Sequence, residues 1–162
     1  MGIQMVNCDA ASNDILLNQK TEAIIGASFD VMNELGTGFL ESVYHRSFAI
    51  ALSHKGFEVQ SEVSMVVSFR GLSVGNFRAD LVVDNEIIVE VKAIDKIAGA
   101  HKAQVINYLA ASGLRTGLII NFGNPRVEIA RLSNPKIIKL DSNYPAHPDI
   151  ISESLSRKAA LS

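Results

Sequence analysis

Tryptophan is absent from the 162 residues, cysteine occurs once, at Cys8, and the aromatic share is only 6%. A lone cysteine excludes an internal disulfide and suits a reducing compartment. Few aromatics argue against the stacking platforms by which single-strand binders hold bases. No strong positive charge is present either: the net charge is −2 and the pI near 6.1, which argues against bulk electrostatic coating of nucleic acid, so any such contact must be local. His45, His54, His101 and His147 are scattered, without zinc-site spacing. No apolar run reaches membrane-spanning length, the N-terminus lacks a basic start followed by an apolar stretch, and Val6 stands where a myristoylation signal needs Ser or Thr. The expected location is the cytoplasm, with no membrane partner.

What remains describes an ordinary globular chain, 48% hydrophobic and 20% charged, long enough for one well-cored domain. Its organising stretch is Phe77 to Lys92. Val-, Ile- and Leu-rich runs flank Asp84-Asn85, a pair tolerant of positive φ, which predicts a β-hairpin. Side chains alternate along strands, so Phe77, Ala79, Leu81, Ile87, Val89 and Val91 form one apolar face if parity survives the turn. An odd connection, Val83-Asp84-Asn85 with Asn85 left-handed, preserves it. The same register gathers Asp80, Glu90 and Lys92 on the other face.

Two nearby carboxylates repel unless a proton or cation lies between them. Magnesium, held by one or two carboxylates while keeping water and phosphate oxygens, matches Asp80 and Glu90, and Lys92 would face the bound anion. That is a layout for phosphodiester cleavage. The competing reading is an ion-pair ladder on an exposed strand, which stabilises little.

Residues 1–18 show no clean period and are expected to be a loose or partly helical lead-in. A helix is predicted from Thr21 as N-cap, with Ile24, Ala27, Val31 and Leu35 on one stripe, stopped by Gly36. A second, capped by Thr37 or Gly38, runs from Phe39 to about Lys55 and is ended by Gly56. It places Glu41 in its first turn, where the helix dipole favours an acid, and Tyr44 as a core residue with a satisfied hydroxyl. Phe57 to Phe69 reads as a strand with Val63, Met65, Val67 and Phe69 on one face, and Arg70-Gly71 and Gly75-Asn76 as turns. A helix from about Ile97 to Ser112, stopped by Gly113, carries His101, Gln104 and Tyr108 on one stripe. The apolar run Thr116 to Phe122 completes a right-handed β-α-β crossover with parallel strands. Val127–Leu132 and Lys136–Leu140 are expected to add short edge strands, and residues 142–162 a peripheral tail. The fold class is therefore α/β, a mixed central β-sheet flanked by helices, with the domain over residues 19–141.

Gly38-Phe39-Leu40-Glu41-Ser42-Val43-Tyr44 matches the GxxExxY signature. Arg78-Ala79-Asp80, then Glu90-Val91-Lys92 as an ExK element, Gln104 to Tyr108 as a QxxxY element with His101 before it, and Gly117 to Gly123 follow in order. From about Thr21 to Gly123 the chain thus resembles the small bacterial GxxExxY proteins of the PD-(D/E)XK nuclease-like superfamily. The resemblance implies a restriction-endonuclease-like αβββαβ core preceded by an extra N-terminal helix. It implies that Asp80 and Glu90 ligate the metal, Mg2+ with Mn2+ as a substitute, with the Val91 carbonyl completing the shell. Glu41 would bind the metal directly or through water, Lys92 would be the catalytic lysine, and Gln104 and Tyr108 would contact the phosphate or position that lysine. Nucleic acid is the implied partner, with DNA put ahead of RNA. Two other readings stay open: a catalytically silent nuclease-fold module that binds protein or nucleic acid, and a homodimer or partner subunit that supplies positive surface.

Overall fold

The computed structural model describes residues 8–135. Two helices come first, α1 (Cys8–Leu35) and α2 (Glu41–His54). Three antiparallel strands follow, β1 (Val59–Phe69), β2 (Leu72–Val83) and β3 (Ile87–Lys92). Helix α3 (Gly99–Ser112) then crosses to β4 (Thr116–Asn121), parallel to β3, and β5 (Glu128–Ser133) closes the sheet antiparallel to β4. Spatial order equals chain order, β1-β2-β3-β4-β5. The expected mixed sheet with flanking helices, and the β-α-β crossover within it, are both present.

Each face of the sheet has its own core. Leu81, Val83, Ile87, Val89, Val91, Leu118, Ile120 and Phe122 pack with Ile24, Val31, Tyr44, Phe48 and Leu52 of α1 and α2. Val82, Ile88 and Ile119 pack with Val105, Tyr108 and Leu109 of α3 on the opposite face. Strands β3 and β4 are covered on both sides, which is why their centres, Ile87-Ile88-Val89 and Leu118-Ile119-Ile120, are continuously apolar. Each fully buried Leu, Ile or Val there contributes about 1.5–3 kcal/mol.

Several expectations are corrected. Thr21 caps nothing: it lies inside α1, its hydroxyl donating to the Leu17 carbonyl at 2.8 Å. The helix takes in residues 8–18 as well, Leu17 packing against the core and polar side chains of this end meeting distant residues. Examples are Arg131 to Asn18 at 2.6 Å and Arg115 to Asp14 at 3.3 Å. Neither Thr37 nor Gly38 caps α2, whose N-cap is Leu40 without a side-chain bond. Gly75-Asn76 is no turn but lies within β2, opposite Val67 and Val66. The hairpin loop is Asp84-Asn85-Glu86, one residue later than expected, and both Asp84 (φ 51°) and Asn85 (φ 56°) are left-handed. Parity is preserved as predicted, yet the six-residue apolar face is split: Ala79 joins the α3 core and Phe77 meets Tyr108, while the other four join α1 and α2. The expected strand over Lys136–Leu140 and the tail from 142 lie outside the described residues. No described helix is long and apolar enough to cross a membrane.

Candidate active site

Pairing between β2 and β3 runs from Val83–Ile87 only to Leu81–Val89. Beyond that point β2 leaves β3 and continues with β1 alone, so the sheet forks at Asp80 and Glu90. A fork strands main-chain groups that would otherwise close the ladder. Asp80 repairs it with its side chain, Oδ2 accepting the Val91 N–H at 2.8 Å. Its own carbonyl accepts from His45 Nε2 at 3.1 Å, which places a proton on that ring nitrogen. His45 was not singled out in the sequence; the available signal was its position four residues after Glu41, hence on the same face of α2.

Glu90 comes from a strand covered on both faces, and its side chain is only 3% exposed. Oε1 accepts from Lys92 Nζ at 2.7 Å, whereas Oε2 is buried without any hydrogen-bond partner. Burial, above all, raises the Glu90 pKa, and the negative charges of Asp80 and Glu41 add to the rise against the pull of Lys92. For Lys92 burial opposes the charge, but the bond to Glu90 and the fields of Glu90, Glu41 and Asp80 outweigh it and raise its pKa. Lys92 therefore carries an ammonium beside the acids at neutral pH.

Glu41 arrives from the N-terminus of α2, its Oε2 accepting the Ala93 N–H at 3.2 Å just past Lys92. Tyr44 sets that approach. Its hydroxyl donates to the Gly36 carbonyl at 2.7 Å and accepts from Phe39 N–H at 3.4 Å, while its ring stacks on Phe122 at 4.9 Å. The linker before Glu41 is thereby tied to the core. On the other side Gln104 Nε2 donates to the Tyr108 hydroxyl at 2.6 Å. Burial chiefly raises the Tyr108 pKa, and Glu90 and Asp80 add to it, so the phenol stays protonated and within electrostatic reach of both acids.

Asp80, Glu90 and Lys92 thus converge with Glu41 and Tyr108 around the fork, and Gln104 reaches it through Tyr108. His101 does not: its Nδ1 accepts the Ala98 N–H at 2.9 Å and tethers the first turn of α3. A residue given no role from sequence is Asn121. Fully buried, it accepts Ile94 N–H at 2.9 Å and donates to the Ile94 carbonyl at 2.8 Å, clamping the loop after Lys92 to the end of β4. Its place in a wholly buried strand was the available hint, because a buried amide must find partners.

Among the described residues, no three His, Cys, Asp or Glu side chains are already drawn together as a metal cluster. Each acid is instead turned to a local donor. The partnerless Oε2 of Glu90 is nevertheless a buried hard oxygen beside Asp80, and a divalent cation is the ligand such an atom fits.

The crystal structure of SSO0001 is similar at 19% identity over 65% of this chain and 60% of that one, with a TM-score of 0.48; this chain thus spans less than two thirds of that protein's length. An alkaline exonuclease, LHK-Exo from Laribacter hongkongensis, is similar at 14% identity, covering 97% and 89% of the two chains with a TM-score of 0.44. Its complex with dAMP gives 16%, 90% and 85%, and 0.43. These likenesses are remote. No curated protein matches the chain. A family model described as the PD-(D/E)XK nuclease superfamily matches residues 18–132, a span holding every element of the fork from Glu41 to Tyr108. The chain belongs to the PD-(D/E)XK nuclease superfamily.

Proposed function

We propose that this protein, of the GxxExxY type within its superfamily, hydrolyses phosphodiester bonds of nucleic acid with a divalent metal, Mg2+ or in its place Mn2+. The observation carrying the proposal is the buried, partnerless Oε2 of Glu90 at a fork shared with Asp80, Glu41 and an ammonium. Nucleases of this superfamily generally depend on divalent metal. Asp80, Glu90 and the Val91 carbonyl would hold the ion, with Glu41 joining directly or through water. When bound, it polarises the phosphate and lowers the pKa of a coordinated water.

The chain's own residues supply the rest. Lys92, kept protonated by Glu90, Glu41 and Asp80, offsets the negative charge that grows on the phosphate in the transition state. Tyr108 offers a protonated phenol to a phosphate oxygen, and Gln104 orients it. His45, on the Asp80 carbonyl, and Tyr44, on the Gly36–Phe39 linker, hold the two acids that arrive from different elements.

Asp80→Ala or Glu90→Ala is expected to cut metal-dependent cleavage by roughly a thousandfold, with folding checked by circular dichroism, since metal assistance contributes several kcal/mol. Lys92→Ala should lose turnover more than metal affinity, because its action is in the transition state. Duplex DNA is the first substrate to try, then single-stranded DNA and RNA. Equal cleavage by either acid variant refutes the proposal.

One observation favours a second reading, a catalytically silent binding module: the acids are satisfied locally by Val91 N–H, Ala93 N–H and Lys92. A purely structural network gains nothing from metal, so a rise in melting temperature with millimolar Mg2+ separates the two.

A further inference from the structure

β1 is an edge of the sheet, and its distal half, Val63-Ser64-Met65-Val66-Val67-Ser68-Phe69, contains no charge, proline or glycine. Among the described residues, Val63–Phe69 make no main-chain hydrogen bond other than to β2. Open edges of this kind pair with further strands unless a lysine, a proline or a covering element blocks them. None does so here, the one register shift along this stretch, between Val67 and Ser68, places its extra residue, Val74, on β2, and Val66 and Phe69 stand 50% and 61% exposed. The open stretch has sharp ends. Glu62 (φ 56°) is a left-handed residue within the strand on one side and Arg70 (φ 50°) turns the chain on the other, leaving an uncharged segment bounded by one anion and one cation.

We propose that a second copy of this chain docks on this edge, by antiparallel pairing of Val63–Phe69 across a two-fold axis at Val66. Charge selects the register. With Val66 opposite Val66 of the second copy, Glu62 faces the second copy's Arg70, and its Glu62 faces Arg70. Between these ends, Ser64 meets Ser68, Met65 meets Val67 and Val63 meets Phe69. Slipping the pairing by two residues sets Glu62 against Leu72 and Arg70 against Ser64, losing both ion pairs. The contact is isologous and closes on itself. Phe69 and Arg70 enter it together, because the guanidinium lies 5.1 Å over the ring. Glu62 holds Arg78 at 3.1 Å within its own hairpin, in an exposed pair that leaves its carboxylate free to accept a second cation. A nucleic-acid strand suits this edge poorly, since no cation lies between its ends. Met65 lies opposite Phe77, whose ring is 5.5 Å from that of Tyr108, so the contact borders the fork without using its chemistry.

The test uses the full chain with Cys8→Ser as background. Sedimentation should show a dimer at concentrations of roughly 10–100 µM. Under mild oxidation Val66→Cys should cross-link to a dimer, because directly opposed side chains are close enough for a disulfide, whereas Ser64→Cys alone should not and Ser64→Cys with Ser68→Cys should. Glu62→Arg and Arg70→Glu should each raise the dimer dissociation constant roughly tenfold, two such pairs being lost per dimer, and the double charge swap should restore it. Glu62, Ser64, Val66, Ser68 and Arg70 are exposed, and circular dichroism checks that the fold is kept. A monomer throughout that range, equal cross-linking of Ser64→Cys and Val66→Cys, or no restoration by the swap overturns the proposal; a monomer would hand the edge to an extended segment of another protein. Because cleavage is not read, failure here leaves the nuclease proposal untouched.

Discussion

The two halves of β2 obey different rules. From Leu81 to Val83 it lies between β1 and β3, and every residue is buried. From Leu72 to Arg78 it pairs with β1 alone and is largely exposed, Leu72 to 72%. Asp80 sits at the change. The lesson is that the candidate site grows from an interrupted ladder: where β2 leaves β3, a carboxylate and a histidine serve the main-chain groups, and the same departure exposes Glu90 to a neighbour other than a strand. The buried half anchors the fork in the sheet and the exposed half leaves β3 without a strand partner beyond Val89 on that side.

Substitutions sharpen this contrast. Leu81→Ala, in the buried half, should cost about 3–4 kcal/mol, from lost transfer energy and a cavity, measured by urea denaturation. Gly123→Ala should cost about 2 kcal/mol, because a Cβ there would strike the Ile94 backbone that Asn121 clamps; the expected sign is a loosened loop after Lys92, seen as faster amide exchange at Ile94. Glu90→Gln should stabilise the protein by about 1 kcal/mol near neutral pH, since it removes a buried, partly unpaired charge yet keeps an acceptor for Lys92. Leu72→Ala, in the exposed half, should change stability by less than about 0.5 kcal/mol.

The Glu90→Gln gain carries a pH signature. Burial raises the folded pKa of Glu90 above its unfolded value of about 4.5, so its carboxyl weakens the folded state progressively as pH rises from the unfolded value through the folded one. Variant and wild type should therefore be nearly equal in acid and diverge with rising pH to a plateau. The raised pKa of Lys92 works in the other sense: its stabilisation is complete below its ordinary value of 10.5 and is lost as pH rises through the folded value. A gap between the two proteins that shrinks as pH rises from acid to neutral would contradict the burial of Glu90.

Much of this was legible in the sequence because it depends on alternation and on buried runs. The hairpin with its odd loop, the crossover from Lys92 to Thr116 and the grouping of Asp80, Glu90 and Lys92 all follow from period two and from the near-continuous apolar run through β4. What could not be read there is set by contacts distant in sequence. The N-terminal half of α1 meets Arg131 of the edge strand β5 and Arg115 just before β4, contacts distant in sequence that no local period announces. The start of α2 is fixed by Tyr44 reaching back to Gly36, not by a capping side chain. The split of Phe77 and Ala79 from Leu81 comes with the fork, which depends on where β3 stops pairing and is invisible to alternation. His45 and Asn121 matter through main-chain partners that only the folded topology brings near.

The central claim is that the fork binds a divalent metal for phosphodiester chemistry. The most direct measurement is calorimetric titration of Mg2+ and Mn2+ into the wild type and the Asp80→Ala/Glu90→Ala double variant, each with a cleavage-resistant phosphorothioate DNA present to complete the coordination shell. The account predicts metal binding by the wild type that the double variant loses while its fold is kept. Binding of equal strength in both proteins, or none in either, would contradict it.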